Sequence, residues 1–588
     1  MLYAGGVWLL AQVITQLGPV FSAPGWIARS FLIAAAIGFP FWIAFAWFYE
    51  FTPQGLKRES EIAPDDSIAH STGRKLDKWI IAVLVVAVVL LLTNTFVWRK
   101  GAGLQSSATT AVATGVNVPA KSIAVLPLLN ESGDASQDYF SDGLSEELIS
   151  ALGQVRDLKV IGRNSSFRFR GRAQDDTAGI GARLGVATLL EGTMRKEGNE
   201  VRIVASLIRA SDGSQLWSQT YDRRVKDVFA VQSDIANSVA NALKANVFGV
   251  AIQATDKPPS GNMAAYDAML QGRWYADRRT RADYVKAVQY YLHAIELDPD
   301  YALAYARLAI AEQWFNDWLA NSDERRTISA QARSNARKAV DLAPQSAVAL
   351  GALGVNQAWS DFDYRTAEAT LKKAAALDPS NAETLYQLAD VTACLGRLDE
   401  SIAMMRKVLA MEPLNASFHF YTGQFLLARG KLDAAEAELK HAIDLQPTAD
   451  VFRAYLAIVY LERDQYDQAT LTAQAEPQAA NRRLALTLIY FARGDGARGQ
   501  AELDDMIRLD ASYGPSNIAM VYALRGDANA AFFWLDRALE ARDPGVATIY
   551  ELPYLVPKLH NDPRLAVLLR TLGLPAPNEL AAQAEDKP

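Results

Sequence analysis

The sequence contains a run of twenty residues without a charged side chain, from Trp79 to Trp98. A helix of about 20 apolar residues matches the thickness of the hydrocarbon core of a bilayer. Two further uncharged stretches precede it, residues 1–28 and residues 31–49. A charge at mid-membrane costs about 2.5–3.5 kcal/mol on insertion scales, so three charge-free windows are significant. The sequence therefore predicts three transmembrane helices, two within residues 1–49 and one over residues 79–98.

Basic residues in short loops set the orientation of such helices. The link between the first two windows contains only Arg29, whereas residues 50–78 contain five basic residues: Lys57, Arg58, Arg74, Lys75 and Lys78. Residues 50–78 are therefore predicted to form a cytoplasmic loop, and the part after residue 98 to be periplasmic. We expect a multi-pass protein of the inner (cytoplasmic) membrane. A cleaved signal peptide is the alternative for the first window, although no basic residue precedes its apolar core.

After a small, polar linker over residues 99–120, the pattern changes to alternating strands and helices. Apolar, β-prone runs predict strands at Ser122–Asn130, Asp157–Arg163, Val186–Met194, Glu200–Ala210 and Gln215–Tyr221. Helical spacing of apolar residues predicts helices at Asp138–Val155, Thr177–Leu184 and Val225–Val247. This order indicates a small α/β domain within residues 121–253.

Proline recurs with a regular period in the second half of the chain. Pro344, Pro379, Pro413 and Pro447 are separated by 35, 34 and 34 residues, and each follows a predicted helix. A 34-residue unit of two helices is typical of the tetratricopeptide (TPR) repeat, and stacked units form a superhelix. We predict an all-α TPR array over residues 262–546 with seven or eight helix pairs, a helical cap over 547–578 and a disordered tail over 579–588. The interval of 45 residues from Pro299 to Pro344 places an insertion near residues 314–325.

The α/β region resembles a known bacterial module. Over roughly residues 122–240 the chain is similar to the TolB amino-terminal-like (FlgO-like) domain, on the segments SIAVLPLLN, DYFSDGLSEELISAL, LKVIGRNSSFRFRG, IGARLGVATLLEGTMRKEGNEVRIVASLI, GSQLWSQTYDRR and DVFAVQSDIANSVA. The run GFPFWIAFAWFYEFTPQGLKRESEI resembles the membrane segment that precedes this domain. The resemblance implies an envelope or signalling protein in which TPR repeats follow the module. Such proteins often carry a winged-helix or nucleotide-cyclase domain. Because the chain begins at the first span, the expectation is that it lacks such an effector domain.

Two groups of side chains are candidate contact sites. One is an arginine cluster that could bind an anion or a partner, because guanidinium groups bind phosphate strongly: Arg163, Arg168, Arg170 and Arg172. The alternative is a solvated strand edge, which charge protects from aggregation. The other is the pair Trp314 and Trp318 in the repeat insertion, which could form an exposed partner contact. The alternative for this pair is a place in the core.

Several other groups have structural interpretations. An acidic group is expected to serve helix capping, with a cation site as the alternative: Asp138, Asp142, Glu146 and Glu147. The single cysteine, Cys394, is expected to pack inside a repeat. The spacing of His419 and His441 places them on different helices of one repeat, with a shared site as the alternative.

No spacing typical of a catalytic triad, a metal site or a nucleotide loop emerges, so we predict no catalytic residue, metal or cofactor and no enzyme activity. The net charge of −7 and the pI near 5.5 argue against nucleic-acid binding. The sequence favours a membrane-anchored, non-enzymatic scaffold or adaptor, and the TPR resemblance implies a protein or peptide ligand in the groove. The alternatives are a sensor subunit that transmits a periplasmic signal to a separate cytoplasmic effector, and an enzyme with an unrecognised site. The oligomeric state is left open.

Overall fold

The computed structural model describes residues 49–52, 55–58, 118–155, 157–171, 176–243, 257–315, 322–511 and 514–580. The chain divides into two compact units, residues 1–114 and residues 115–588. In the first unit the backbone forms a hairpin of β1 (Tyr49–Thr52) and β2 (Gly55–Arg58). Apart from Tyr49, the three predicted membrane spans lie outside the described residues. None of the described helices combines the length and the apolar character needed to cross a bilayer.

The second unit begins with the small α/β region that the sequence predicts. Its strands are β3 (Ser122–Val125), β4 (Leu129–Asn130), β5 (Lys159–Ile161), β6 (Thr188–Glu197), β7 (Glu200–Arg209) and β8 (Gln215–Arg224). Its helices are α1 (Asp138–Gly153), α2 (Arg163–Ser166), α3 (Thr177–Leu184) and α4 (Val228–Ala242). The sheet order is β5–β3–β6–β7–β8, with β4 beside β6. β3 is parallel to β5 and β6, whereas β6, β7 and β8 are antiparallel neighbours.

The residue pattern explains this sheet. Every second residue of β7 is buried against the helices: Val201, Ile203, Ala205 and Leu207. Gly198 closes the β6–β7 hairpin with a φ of 58°, a conformation that glycine adopts without steric cost. A side chain at Gly192 would overlap the carbonyl oxygen of Val204 on the neighbouring strand, so only glycine fits there.

Between residues 263 and 540 the described residues form eight helix pairs, which we call the repeat array. The pairs are α5 (Met263–Ala276) and α6 (Arg281–Leu297); α7 (Ala302–Phe315) and α8 (Ser322–Leu342); α9 (Ala347–Trp359) and α10 (Tyr364–Leu377); α11 (Ala382–Cys394) and α12 (Leu398–Met411); α13 (Ala416–Ala428) and α14 (Leu432–Leu445); α15 (Phe452–Leu461) and α16 (Tyr466–Gln474); α17 (Ala479–Arg493) and α18 (Gly496–Leu509); α19 (Pro515–Leu524) and α20 (Ala528–Glu540). The predicted insertion lengthens one second helix: α8 has 21 residues, whereas α10, α12 and α14 have 14 each.

Small residues set the distance between the two helices of a pair. Gly354, Ala389, Gly423 and Ala457 recur at intervals of 35, 34 and 34 residues. A Cβ atom at Gly354 would lie 2.6 Å from Cγ of Leu371, and one at Gly423 would lie 2.7 Å from Cγ of Leu439. The repeat of about 34 residues in the sequence therefore corresponds to a close contact between the two helices of each pair.

The α/β region and the chain's end both share hydrophobic cores with the array. One core joins side chains of β3, α1 and α4 to those of α5, α6 and α7, including Phe140, Tyr266 and Tyr291. After α20 come three short helices: α21 (Pro544–Ala547), α22 (Leu555–Leu559) and α23 (Pro563–Thr571). Their apolar residues belong to the core of repeats three to eight. We call residues 541–580 the C-terminal segment.

Candidate functional site

The predicted arginine cluster lies in the segment that follows β5. Arg163 begins α2, Arg168 lies in the 3-10 turn Phe167–Phe169, and Arg170 follows that turn. The described arginines do not lie on a strand edge, because β5 ends at Ile161 and helical turns follow, although Arg168 and Arg170 are exposed to solvent. Arg172 lies outside the described residues.

Two of these guanidinium groups form ion pairs with carboxylates of the same chain. Arg170 donates from Nη2 to both carboxylate oxygens of Asp142, at 2.6 and 2.7 Å. Arg163 pairs with Glu146 at 3.2 Å and with Asp277 of the first repeat at 2.9 Å. An external anion would have to compete with these contacts, and the anion or partner contact stays a prediction.

Arg168 connects the α/β region to the middle of the repeat array. It donates to the carbonyl oxygens of Leu414 and Leu445 at 3.3 and 2.7 Å. The backbone N–H of Leu414 in turn donates to Oγ of Ser165 at 3.0 Å. The segment with the arginines therefore binds the loop between α12 and α13.

The centre of this contact is the buried carboxylate of Glu412. It accepts hydrogen bonds from the backbone N–H groups of Asn164 at 3.0 Å and Ser165 at 2.7 Å, in the first turn of α2. Burial raises the pKa of Glu412 to about 7, although the Ser165 and Asn164 bonds oppose that shift. A side chain at Gly162 would overlap the Glu412 carboxylate, so glycine permits the approach.

The acidic residues of α1 also bind other parts of the chain. Asp138 is the only one of the four in the first turn of α1, where the capping interpretation applies. Glu146 pairs with Arg273 on α5, and Glu147 accepts hydrogen bonds from Gln232 and Tyr266. These contacts hold α1 against α4 and the first repeat, and the cation alternative for this group stays a hypothesis.

A second buried acid lies in the C-terminal segment. Glu551 is 2% exposed and contacts the first helices of two successive repeats. Sγ of Cys394 on α11 donates to one carboxylate oxygen at 3.5 Å, and Nε2 of Gln424 on α13 donates to the other at 3.0 Å. Three potential metal-ligand atoms lie within 4.8 Å of one another: a carboxylate oxygen of Asp390, Sγ of Cys394 and a carboxylate oxygen of Glu551. We call these three residues the acid–thiol cluster.

Burial dominates the electrostatics of this cluster. It raises the pKa of Asp390 to about 7, although the hydroxyl of Tyr386 donates to this carboxylate at 3.3 Å. Burial and the neighbouring Asp390 hold the pKa of Glu551 well above its usual range, and burial with Glu551 and Asp390 raises that of the Cys394 thiol. Burial therefore favours the protonated form of both carboxyl groups.

The C-terminal segment contacts several repeats of the array, from the third repeat onward. Its further contacts are the Tyr554 hydroxyl with Glu462, Nη1 of Arg542 with the carbonyl oxygen of Ser360 at 3.0 Å, and the carbonyl oxygen of Gly573 with Nε of Arg365 at 3.4 Å. The predicted cap over residues 547–578 thus contacts the sixth repeat and reaches back to the third. Its contact with the last repeat is the hydrogen bond from Nη1 of Arg564 to Oδ1 of Asn529 at 3.0 Å.

The remaining candidates fall in different places. Trp314 is half-buried and packs against the core that the α/β region shares with the first repeats, which fits its core alternative. Trp318 lies outside the described residues, so a partner contact there stays a prediction. Cys394 is fully buried, as the packing interpretation expects.

The structure brings His419 and His441 together, with ring centroids 4.3 Å apart. Nδ1 of His419 lies 2.6 Å from Glu438, and Nε2 lies 3.0 Å from the carbonyl oxygen of Pro413. Burial and the neighbouring His419 lower the pKa of His441. Their sequence positions lie on different helices of one repeat, as expected, but these helices pack against each other.

Sequence reasoning missed Glu412 and the pair of Asp390 and Glu551. Glu412 had a weak signal, because it precedes Pro413 at a position where earlier repeats carry Asp298 and Asp378. Glu551 had none, since its partners are more than a hundred residues away in the chain.

Comparison with known proteins identifies the repeats. Residues 358–422 match the tetratricopeptide repeat family. TPR repeats are therefore confirmed within these residues, and the other pairs of the repeat array are helix pairs of the same kind. The resemblance of the α/β region to the TolB amino-terminal-like domain stays a prediction.

Relatives cover only part of this chain. The putative adenylate cyclase 3 of Rhizobium meliloti (strain 1021) is 35% identical over 227 residues, which are 38% of this chain and 38% of that protein. Human IFIT1, as a dimer with m7Gppp-AAAA, is 15% identical over 53% of this chain and 77% of its own, with a TM-score of 0.34. PilF of Pseudomonas aeruginosa is 19% identical over 34% of this chain and 93% of its own, with a TM-score of 0.28.

Proposed function

We propose that this chain is a non-enzymatic adaptor whose TPR array binds a segment of another protein. The supporting observation is that the first helices of two successive helix pairs, α11 and α13, already bind a stretch of polypeptide, the one around Glu551. They supply two hydrogen-bond donors for its carboxylate, Nε2 of Gln424 and Sγ of Cys394, and they carry the aromatic pair Tyr386 and Tyr421. A surface that buries one peptide side chain in this way has the depth and the polar partners that peptide recognition needs.

The most strongly shifted acids favour a non-enzymatic role. Perturbed carboxyl groups often mark active sites, but ion-pair and packing contacts also produce them. Glu412 and Glu551 are 3% and 2% exposed, and each is covered by another part of the same chain. A substrate would have no access to these two groups in the described arrangement.

We further propose that the chain is anchored in the inner membrane, with the α/β region and the array in the periplasm. Three charge-free windows and the basic loop of residues 50–78 support this placement. The test is carbonate extraction of membranes that contain the full chain, combined with reporter fusions. A periplasm-dependent reporter after Lys121 should be active and one near Ala69 inactive. The reverse pattern, or release of the chain by carbonate, would contradict the proposal.

The adaptor role can be tested by site-specific photocrosslinking of the full chain in cells. A benzoylphenylalanine replaces the half-buried Trp359, which lies one repeat before Cys394 in register. The control places it at Leu471 on a second helix, where the side chain is 70% exposed. We expect a discrete crosslinked polypeptide from position 359 alone. The identified partner, once purified, should bind the purified chain. Equal products from both positions, or no binding by the purified partner, would refute the adaptor role.

A sensor role is the second candidate, and the partial similarity to a putative adenylate cyclase favours it. In that case the chain would pass a periplasmic signal to a separate cytoplasmic effector. The same crosslinking experiment with the photoreactive residue in the loop of residues 50–78 separates the two roles. A cyclase or regulator captured from that loop favours sensing, whereas envelope proteins captured at position 359 favour the adaptor.

A further inference from the structure

The acid–thiol cluster places two carboxyl groups and a thiol together in the protein interior. Asp390, Cys394 and Glu551 are 6%, 0% and 2% exposed. Within the described part of the chain, neither carboxylate has a hydrogen bond or ion pair with a lysine, arginine or histidine; their partners are Tyr386, Gln424 and the thiol itself. Buried charges are normally paired with a cation or coordinate a metal, because burial of an unpaired carboxylate is costly.

A fourth buried polar group lies on the neighbouring helix. Tyr364, at the start of α10, is 1% exposed, and its hydroxyl oxygen has no hydrogen-bond partner among the described residues. Besides burial, the charges that raise the pKa of Tyr364 are those of Cys394, Asp390 and Glu551, so the residue lies within electrostatic range of the cluster. A buried hydroxyl without a partner is uncommon in folded proteins, and a bound water or ion is one way to satisfy it.

We propose that Asp390, Cys394 and Glu551 form a binding site for a divalent transition-metal ion of the Zn²⁺ class. Thiolate and carboxylate oxygen are both Zn²⁺ ligands, with bond lengths of about 2.0–2.3 Å. Ligand atoms around such an ion lie roughly 3.5 Å apart. The Cys394 Sγ–Glu551 oxygen distance is already 3.5 Å, so mainly Asp390 has to approach.

A divalent ion offsets most of the charge of its ligands. Metal binding needs the deprotonated thiolate and carboxylates, and the protons that these groups carry leave to solvent. One S⁻ and two carboxylates then surround a charge of +2, which leaves a net charge of −1 at the site. Since Asp390 and Cys394 lie on α11 and Glu551 lies in the C-terminal segment, the ion would tie that segment to the array.

The test uses the purified, untagged full chain after treatment with a chelator. Zn²⁺ and Co²⁺ are added in metal-buffered solution, and binding is followed by competition with a chromophoric chelator and by the Co²⁺ spectrum. We expect one ion per chain and a thiolate-to-cobalt charge-transfer band in the near ultraviolet. Because the chain has a single cysteine, that band can arise only from Cys394.

Variants separate this site from others. Cys394→Ser should abolish the charge-transfer band, and Glu551→Gln and Asp390→Asn should each weaken Zn²⁺ binding at least tenfold. The control Asp505→Asn removes an exposed acid that pairs with Arg508, and His441→Ala removes half of the histidine pair. Both controls should leave the affinity and the band unchanged.

The outcomes that overturn the proposal are equally defined. One is a wild-type chain that shows no thiolate–cobalt band and no stoichiometric Zn²⁺ binding, which would mean that the carboxyl groups share a proton only. The other is binding that Cys394→Ser and Glu551→Gln leave intact. If a variant fails to fold by circular dichroism, the wild-type cobalt spectrum decides alone.

Discussion

At the scale of single residues, the same repeat position has been used in two ways. Asp378 precedes Pro379 and accepts hydrogen bonds from Ser380 in its own loop. Glu412 precedes Pro413 and is one methylene longer, and its carboxylate reaches the backbone of α2 in the α/β region. A local loop residue has thus become the contact between two parts of the molecule.

We predict that Glu412→Ala lowers the free energy of unfolding by about 3 kcal/mol, because it leaves the buried N–H group of Ser165 and the partly buried N–H group of Asn164 without an acceptor. Chemical denaturation followed by circular dichroism measures the loss. Asp378→Ala is the matched control, since its partners are exposed, and should cost about 1 kcal/mol or less. Equal losses in the two variants would show that Glu412 has no special role.

The acid–thiol cluster leads to a pH prediction for the metal-free chain. The pKa of Asp390 is raised to about 7 and that of Glu551 well above its usual range, so the folded cluster binds more protons than the unfolded chain. Its contribution to stability is therefore present at acid pH and is lost from about pH 4 upward, as the pH rises through the Asp390 pKa of about 7.

Relative to the double variant Asp390→Asn/Glu551→Gln, the wild-type chain should become less stable as the pH rises through this window. Thermal unfolding in the presence of a chelator, from acid to mildly alkaline pH, measures the difference. A constant difference across that range would contradict the raised pKa values.

At the scale of elements, local pattern and packing agree closely. The predicted helix Thr177–Leu184 has the bounds observed for α3, and the predicted helix Asp138–Val155 ends two residues beyond α1. The largest difference is at α2, where the strand predicted over Asp157–Arg163 ends at Ile161 and a helix follows. The reason is the contact with Glu412, which satisfies the first N–H groups of that helix and lies far away in the sequence.

Close helix packing makes Gly423 sensitive to a single methyl group. We predict that Gly423→Ala costs about 1–3 kcal/mol, because the new Cβ would lie 2.7 Å from Cγ of Leu439 and force α13 and α14 apart. Gly496→Ala, in the first turn of α18 with no atom within 4 Å of the new Cβ, should leave stability unchanged or raise it by about 0.5 kcal/mol. Denaturant unfolding of both variants provides the test, and a stable Gly423→Ala chain would refute it.

At the scale of the whole second unit, the α/β region and the array are not independent. They share a core around Tyr266, whose ring lies 4.7 Å from that of Phe229 and 6.5 Å from that of Phe140. A second contact, at Glu412, joins the same region to the middle of the array. Two contacts of this kind favour cooperative unfolding of the α/β region and the array, because loss of packing in one part removes contacts of the other.

We therefore predict that Tyr266→Ala accelerates hydrogen exchange in both α1 and α6. Loss of a large core side chain costs about 3–5 kcal/mol, which corresponds to an increase in exchange rate of roughly a hundredfold or more. Phe533→Ala on α20, where the side chain is 52% exposed, should change neither helix. Faster exchange in α6 alone would show that the two regions open separately.

The sequence by itself determined the small α/β region and an array of seven or eight helix pairs. These features depend on periodicity and on small residues, which act over a few residues or one repeat. The tertiary structure alone decided where the arginines, the acidic residues of α1 and the C-terminal segment are bound. The partners of Glu412 and Glu551 lie 127 to 248 residues away along the chain, and no local pattern records such a distance. Their pairing follows from how the helix pairs stack, because that stacking brings remote loops and helix faces to the same place.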